Sequence, residues 1–307
     1  MKRRLPSESE SEIKSEKTFN FTKYSKLPKE LRSHCLSIVP LPTLGEYSLC
    51  SKYCNLEIQK FNTRAPQSLE LSDCGDHLLV KMVYGCSDGD PTVEKRFYGA
   101  DTMEQVEQYV KDRYKYVKEP ETRRITLNMR QWPAKILKLR HLSNIEHWTV
   151  TMYPTILNDF IELAQTWSTN NKTMMLEKGD DEITMPSNFF KTQFFQTAKQ
   201  AYFRVPCDIE AQDFVDANFN KISMENLVSH EALQAKVEQF NTRINSECSI
   251  GLERSDGVRF NLDEIFPVSR FPEREFRNAE AMNLGRTTAF VFDMGTYLIV
   301  AKFPSII

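Results

Sequence analysis

Glycine is scarce, 10 residues among 307, and neither a G-x-x-x-x-G-K loop nor a G-x-G-x-x-G turn occurs, which removes two familiar phosphate cradles. No stretch approaches the roughly twenty apolar residues that a membrane span needs. The N-terminus also lacks the apolar centre of a signal peptide. An excess of one charge is missing too: 40 Lys and Arg against 42 Asp and Glu leave a net charge of -2. Without a basic field to hold a phosphate backbone, nucleic acid is not an expected partner. The seven cysteines, Cys35, Cys50, Cys54, Cys74, Cys86, Cys207 and Cys248, form an odd set with no C-x-x-C pair, so neither a zinc ribbon nor a dithiol redox motif is indicated. They read as free, mostly buried thiols in a reducing compartment. A soluble protein of the cytoplasm or nucleus, without a membrane partner, is expected.

What the chain does contain changes character along its length. Residues 1–18 carry charge, serine and proline with almost no bulky apolar side chains, and cannot offset the entropy of ordering. They are expected to form a disordered tail; three basic residues, Lys2-Arg3-Arg4, match half of a nuclear import signal but read better as part of that solvated tail, and Ser7 and Ser9 each precede a glutamate by three residues, a weak kinase-site pattern. From Leu27 the apolar residues fall at helical spacing, with Leu27, Leu31, Cys35, Ile38 and Val39 on one face. Pro28 fits the first turn, where its missing N–H is not needed. Pro40 and Pro42 break the run, and a second amphipathic segment carries Leu44, Tyr47, Leu49 and Cys50.

Beyond Pro66 the period shortens to two. Leu78, Val80, Met82 and Tyr84 alternate as in a half-buried strand, with Val93 to Tyr98 as its neighbour. Thr102 and Gln105 read as a capping box opening a helix through Val106 and Val110. Strands are then predicted near Ile125, Trp148, Thr173, Ala201, Lys221 and Ser249, with helices over Ala134 to Leu142, Thr155 to Trp167, Ser187 to Ala198 and Ser229 to Phe240. Alternation at a period of 20 to 28 residues favours a parallel sheet with helices on one side, within the range of leucine-rich repeats. An ordinary α/β layer domain is the alternative. Ser255-Asp256-Gly257 predicts a tight hairpin between Ser249 to Arg254 and Val258 to Leu262, with strands at Thr288 to Phe292 and Tyr297 to Phe303 closing the edge.

Catalytic patterns are weak throughout. His141 and His147 lie six apart, a spacing that shares neither a helical nor a strand face, and neither has an acidic ligand at metal spacing. His230-Glu231 is explained by the capping and dipole preferences of a helix starting at Ser229. Asp180-Asp181-Glu182 lacks the alternating oxygens of a calcium loop, and no cysteine has a local base to activate it. Phe189, Phe190, Phe194 and Phe195 wrap one helical face as core, any exposed part of which would suit a binding anchor. Catalytic residues, metal and cofactor are each expected to be none.

The segment LPKELRSHCLSIVPLPTLGEYSLCSK, from Leu27 to Lys52, resembles the F-box. Its matching positions are Leu27-Pro28, Glu30-Leu31, Cys35-Leu36, Leu44, and Ser48-Leu49 leading to Lys52. Cys54 stands where many F-boxes have tryptophan, and two prolines crowd the turn at 40 to 42. The wording Ser48-Leu49-Cys50-Ser51-Lys52 is similar to the nematode branch of that family, whose C-terminal F-box-associated domain often holds an R-x-D-G turn like Arg254-Ser255-Asp256-Gly257.

The resemblance implies a short helical module over 19–62 that docks a Skp-family adaptor of a cullin-RING ubiquitin ligase through Leu27, Pro28, Leu31, Cys35, Leu44 and Leu49. It also implies a domain over 66–307 that holds an unknown protein target. The expected architecture is α/β: a helical F-box module, then a leucine-rich-repeat-like domain with a C-terminal β-hairpin. The competing readings are two amphipathic helices packed into the chain's own core, and an α/β repeat scaffold unrelated to ubiquitin.

Overall fold

Two-residue periodicity dominates the larger part of the chain and produces one sheet of 13 strands. The computed structural model describes residues 26–28, 31, 32, 35, 65–84, 92–115, 117, 122–139, 142, 145–167, 172–225, 228–243, 246–254, 256–292 and 295–302. The chain divides into two units, 1–61 and 62–307. In the second, β1 (Ser68–Asp73), β2 (Leu78–Val83) and β3 (Thr92–Phe97) are followed by α1 (Thr102–Tyr114). Then come β4 (Arg124–Asn128), α2 (Ala134–Leu137), β5 (His147–Met152), α3 (Leu157–Thr166), β6 (Thr173–Lys178), α4 (Ser187–Phe190) and α5 (Gln193–Gln196). β7 (Gln200–Arg204), α6 (Ala211–Asp216), β8 (Lys221–Met224), α7 (His230–Thr242), β9 (Cys248–Glu253) and α8 (Leu262–Ile265) lead to four closing strands, β10 (Glu275–Asn278), β11 (Ala281–Leu284), β12 (Thr287–Phe292) and β13 (Tyr297–Lys302).

The order across the sheet is β10-β11-β12-β13-β9-β8-β7-β6-β5-β4-β1-β2-β3. From β1 through β4 to β9 the neighbours are parallel, and from β4 each crossover moves one strand onward in the same direction. Parallel crossovers share one hand, so steps that never reverse place the connecting helices on one face. A doubly wound sheet reverses direction midway and covers both faces. Antiparallel pairs flank the run, β2 and β3 at one end and β13 to β10 at the other.

Burial follows the same rule. Ile125, Leu127, Trp148, Val150, Met174, Leu176, Ala201, Phe203, Ile222 and Met224 alternate along the parallel strands as buried residues facing the helices. Phe160 and Ala164 of α3, and Ala232, Leu233, Val237 and Phe240 of α7, are buried on the helix side. An aromatic cluster fills the middle: the Phe160 and Phe189 rings stack at 5.5 Å, Trp148 meets Phe194 edge-on at 5.5 Å, and Phe190 meets Phe195 at 5.1 Å. Such pairs each add about 0.5–1.5 kcal/mol beyond the area they bury.

The six expected parallel strands begin within one residue of their expected positions, with successive starts 23, 26, 27, 21 and 27 residues apart. Three local expectations are corrected. The Asp-Gly sequence makes no hairpin with β9: Arg254 holds Asp256 through two bonds of 2.9 and 2.7 Å, the Val258 N–H donates to Asp256 Oδ1 at 3.0 Å, and residues 257–261 run outside any strand. Instead β13 takes the place beside β9, pairing from Tyr297↔Glu253 to Lys302↔Cys248. Thr102 is not a cap, because the first helical bond of α1 ends on the Asp101 carbonyl and the Thr102 hydroxyl turns back to the Gly99 carbonyl. The expected helix from Ser187 to Ala198 is two single turns, since Thr192 is extended and its hydroxyl accepts from the Phe195 N–H to start the second.

Candidate functional site

Among the described residues of the second unit, no helix or strand covers the face of the sheet opposite the helices. Seven residues of that face align partner to partner across adjacent strands: Thr126, Thr149, Met175, Tyr202, Ser223, Gly251 and Ile299. Successive strands lie about 4.8 Å apart, so this stripe runs roughly 29 Å. It carries no charge, and its members are half-buried except Gly251, which is buried. Tyr297 leans over that glycine, and a Cβ at position 251 would stand 2.6 Å from the phenol oxygen. A glycine here therefore lets an aromatic ring lie against the strand, extending the stripe's apolar part beside Ile299.

Beyond Thr126 the same row turns charged, through Glu70, Lys81 and Glu94, and charge also gathers at the two ends of the parallel strands. At their starts Arg124, His147, Thr173, Gln200 and Lys221 form the next row. Lys172 pairs with Glu146 at 2.8 Å and Lys221 with Glu247 at 2.6 Å just below it. Burial, then the nearby Arg124 guanidinium, pushes the His147 pKa down, keeping the imidazole neutral at physiological pH. At the opposite end Glu177 faces Arg204 at 3.6 Å, and Arg130 joins Asp180 at 2.7 Å while lying over the Tyr153 ring. The Tyr153 hydroxyl donates to Asn128 Oδ1 at 2.8 Å. Burial raises the Tyr153 pKa, with Asp180 adding to it, so this phenol stays a donor.

Among the described residues no serine or cysteine is hydrogen-bonded to a histidine, and no group of three or more His, Cys, Asp or Glu side chains is placed to hold a metal ion. Cys207 is buried and burial raises its thiol pKa far above the usual value, so it is protonated and unreactive. The pair His77 and Asp76, 2.6 Å apart, borders an open depression of about 460 Å³ lined also by Asp73, Asp101 and Glu104. The hydrogen bond from His77 lowers the Asp76 pKa, which makes that carboxylate a poor base.

Of the residues expected to dock an adaptor, Leu27 and Cys35 are half-buried, Pro28 is exposed and Leu31 is 52% exposed. Leu31, Arg32 and Cys35 are helical, and the Arg32 N–H donates to the Pro28 carbonyl at 3.0 Å. Leu44 and Leu49 lie outside the described residues, as do His141, the Lys2-Arg3-Arg4 segment, Ser7 and Ser9. Phe189, Phe190, Phe194 and Phe195 are all buried, so no part of that cluster is free to anchor a partner. The open sheet face was not recognised from sequence. Its signal was the Thr, Ser, Met and Tyr residues that alternate with the buried ones, but which strands adjoin is not visible locally. Comparison with family models, with curated proteins and with solved structures finds no match.

Proposed function

We propose that the chain is a non-catalytic adaptor of a Skp-cullin-F-box ubiquitin ligase. Its first unit binds the Skp-family adaptor, and the second holds a protein target on the open sheet face. The observation that carries this reading is the one-sided sheet. Helices occupy one face, the other presents an uncharged stripe of about 29 Å between charged margins, and no reactive group is installed along it. The unreversed order of parallel strands resembles a leucine-rich-repeat array, a form suited to broad protein contacts. The F-box-like pattern from Leu27 to Lys52, with Pro28 and Leu31 exposed, supplies the second half of the reading.

In such an adaptor no bond is made or broken by the chain itself. It raises the effective concentration of a target lysine near a ubiquitin-conjugating enzyme recruited by the same ligase. The adaptor surface needs only apolar side chains matched to a groove, each well-buried leucine adding roughly 1.5–3 kcal/mol. The test is capture of the full chain by purified Skp adaptor. The wild-type chain is expected to bind. A double variant, Leu31→Asp with Leu44→Asp, is expected to lose binding while keeping the circular dichroism of the sheet domain, because an unpaired carboxylate is costly to bury. Failure of the wild-type chain to bind refutes the ligase reading and leaves an interaction scaffold unconnected to ubiquitin.

A further inference from the structure

The margin at the start of the parallel strands is more basic than the chain as a whole. The net charge is -2 over 307 residues. Yet Arg123 and Arg124 before and at the start of β4, Lys172 before β6, Lys199 before β7 and Lys221 at the start of β8 gather along one edge. The ladder itself sets this spacing: the Glu146 N–H bonds to the Arg123 carbonyl, Lys172 to Glu146, Gln200 to Lys172, and Asn220 to Lys199. Glu146 and Glu247 neutralise Lys172 and Lys221. Arg123, Arg124 and Lys199 are exposed and have no ion-pair partner among the described residues. His147 is the Cα partner of Arg124; burial first, and then Arg124, lowers its pKa, with Lys172 and Arg123 acting the same way and Glu146 against them.

We propose that this edge receives an acidic protein segment, whose carboxylates meet Arg123, Arg124 and Lys199 while its neutral side chains lie on the stripe through Thr149, Met175 and Tyr202. The proposal rests on the sheet face being the target-binding surface and adds the chemistry of the target. Charge complementarity selects the occupant. Guanidinium groups at Arg123 and Arg124 suit bidentate carboxylate contacts, and the adjoining stripe has no charge that an acidic segment would have to strip of water. An oligonucleotide would need phosphate contacts along a longer basic track and aromatic platforms for its bases. Tyr202 is the one aromatic residue among the seven of the stripe.

The experiment is fluorescence anisotropy on the full chain with three labelled peptides of equal length. One alternates glutamate with serine and leucine, one carries glutamine and one lysine at the glutamate positions. The glutamate peptide is expected to bind, with affinity falling as salt is raised. The other two peptides are expected to bind at least tenfold more weakly. Arg124→Glu with Lys199→Glu is expected to weaken the glutamate peptide about tenfold or more, while Glu253→Lys at the far end of β9 leaves its affinity within about twofold. Equal binding of the glutamine peptide overturns the proposal, as does indifference to the double reversal. A uridine oligomer that binds more tightly than the glutamate peptide and loses binding in the same variant overturns it too. Skp capture run in parallel separates the two readings. Capture without peptide binding refutes only the acidic segment, and peptide binding without capture refutes only the ligase assignment.

Discussion

At the scale of single residues, the buried cation Lys236 has the sharpest physical consequence. It sits in the apolar stripe of α7 between Leu233 and Val237, where a sequence pattern would place another aliphatic side chain. Among the described residues its ammonium meets no carboxylate. It donates instead to the carbonyls of Val215 and Ala217 at the C-terminal end of α6 and lies over the Phe219 ring at 4.4 Å. Helix C-termini leave carbonyls unpaired and carry partial negative charge, so the position is favourable for a cation despite burial. Lys302 repeats the arrangement, donating to the Phe240 carbonyl in the last turn of α7 at 2.8 Å. Burial nevertheless lowers the Lys236 pKa to about 8, with Arg243 adding to the shift. A lysine whose folded pKa lies below its unfolded value binds fewer protons when folded. Stability from this group therefore rises with pH from about 8 towards 10.5. The wild-type protein is expected to gain about 1 kcal/mol between pH 8 and pH 9 relative to a Lys236→Met variant. Urea midpoints of both proteins across that range measure it, and parallel curves would show that the ammonium is not titrating there.

At the scale of elements, helices and strands were legible wherever a period ran long enough to be distinctive. Leu78 to Tyr84 and Thr173 declare strands by alternation, and Ser229 declares a cap that the structure forms, accepting from the Ala232 N–H at 3.2 Å. β1 was missed because Ser68, Glu70 and Ser72, which share the open face, dilute its two leucines. The four-residue β10 was missed because all its side chains are exposed, which leaves no alternation to read. The open face was illegible for a different reason. A row such as Thr149, Met175 and Tyr202 exists only through pairings between strands more than twenty residues apart, and no local period encodes it. The segment from Ser187 to Gln196 shows how one residue overrides a period. Phe189, Phe190, Phe194 and Phe195 satisfy a helical stripe, yet buried Thr192 donates to the Phe189 carbonyl at 2.7 Å, accepts from the Phe195 N–H, and breaks the stripe in two. Thr192→Ala is expected to cost about 1–2 kcal/mol in denaturant unfolding, and Thr192→Ser to recover most of that loss. If alanine were tolerated within a few tenths of a kcal/mol, packing of the four phenylalanines alone would define the break.

At the scale of the whole second unit, strands touch chiefly their immediate neighbours in the sheet, so stability passes along it from strand to strand instead of converging on a central knot. Each strand's protection then depends on what covers it and on how far it lies from an end. β5, β6 and β7 lie at the middle of the order and rest on the aromatic cluster of Trp148, Phe160, Phe189, Phe194 and Phe203. The ends are built differently. β3 exposes Thr92, Glu94, Lys95 and Arg96, and Lys81 reaches Glu94 at 3.4 Å. β10 is exposed along its whole length and shifts register between Phe276 and Asn278. Charged, short or bulged edge strands resist pairing with another chain. They also open more easily than the centre. Amide hydrogen exchange by mass spectrometry is expected to be slowest in β5, β6 and β7, with openings near the global unfolding energy, and fastest in β10 and β3. Exchange in β10 as slow as in β6 would mean that the sheet opens only as a single cooperative block, and the neighbour-to-neighbour account of its stability would fail.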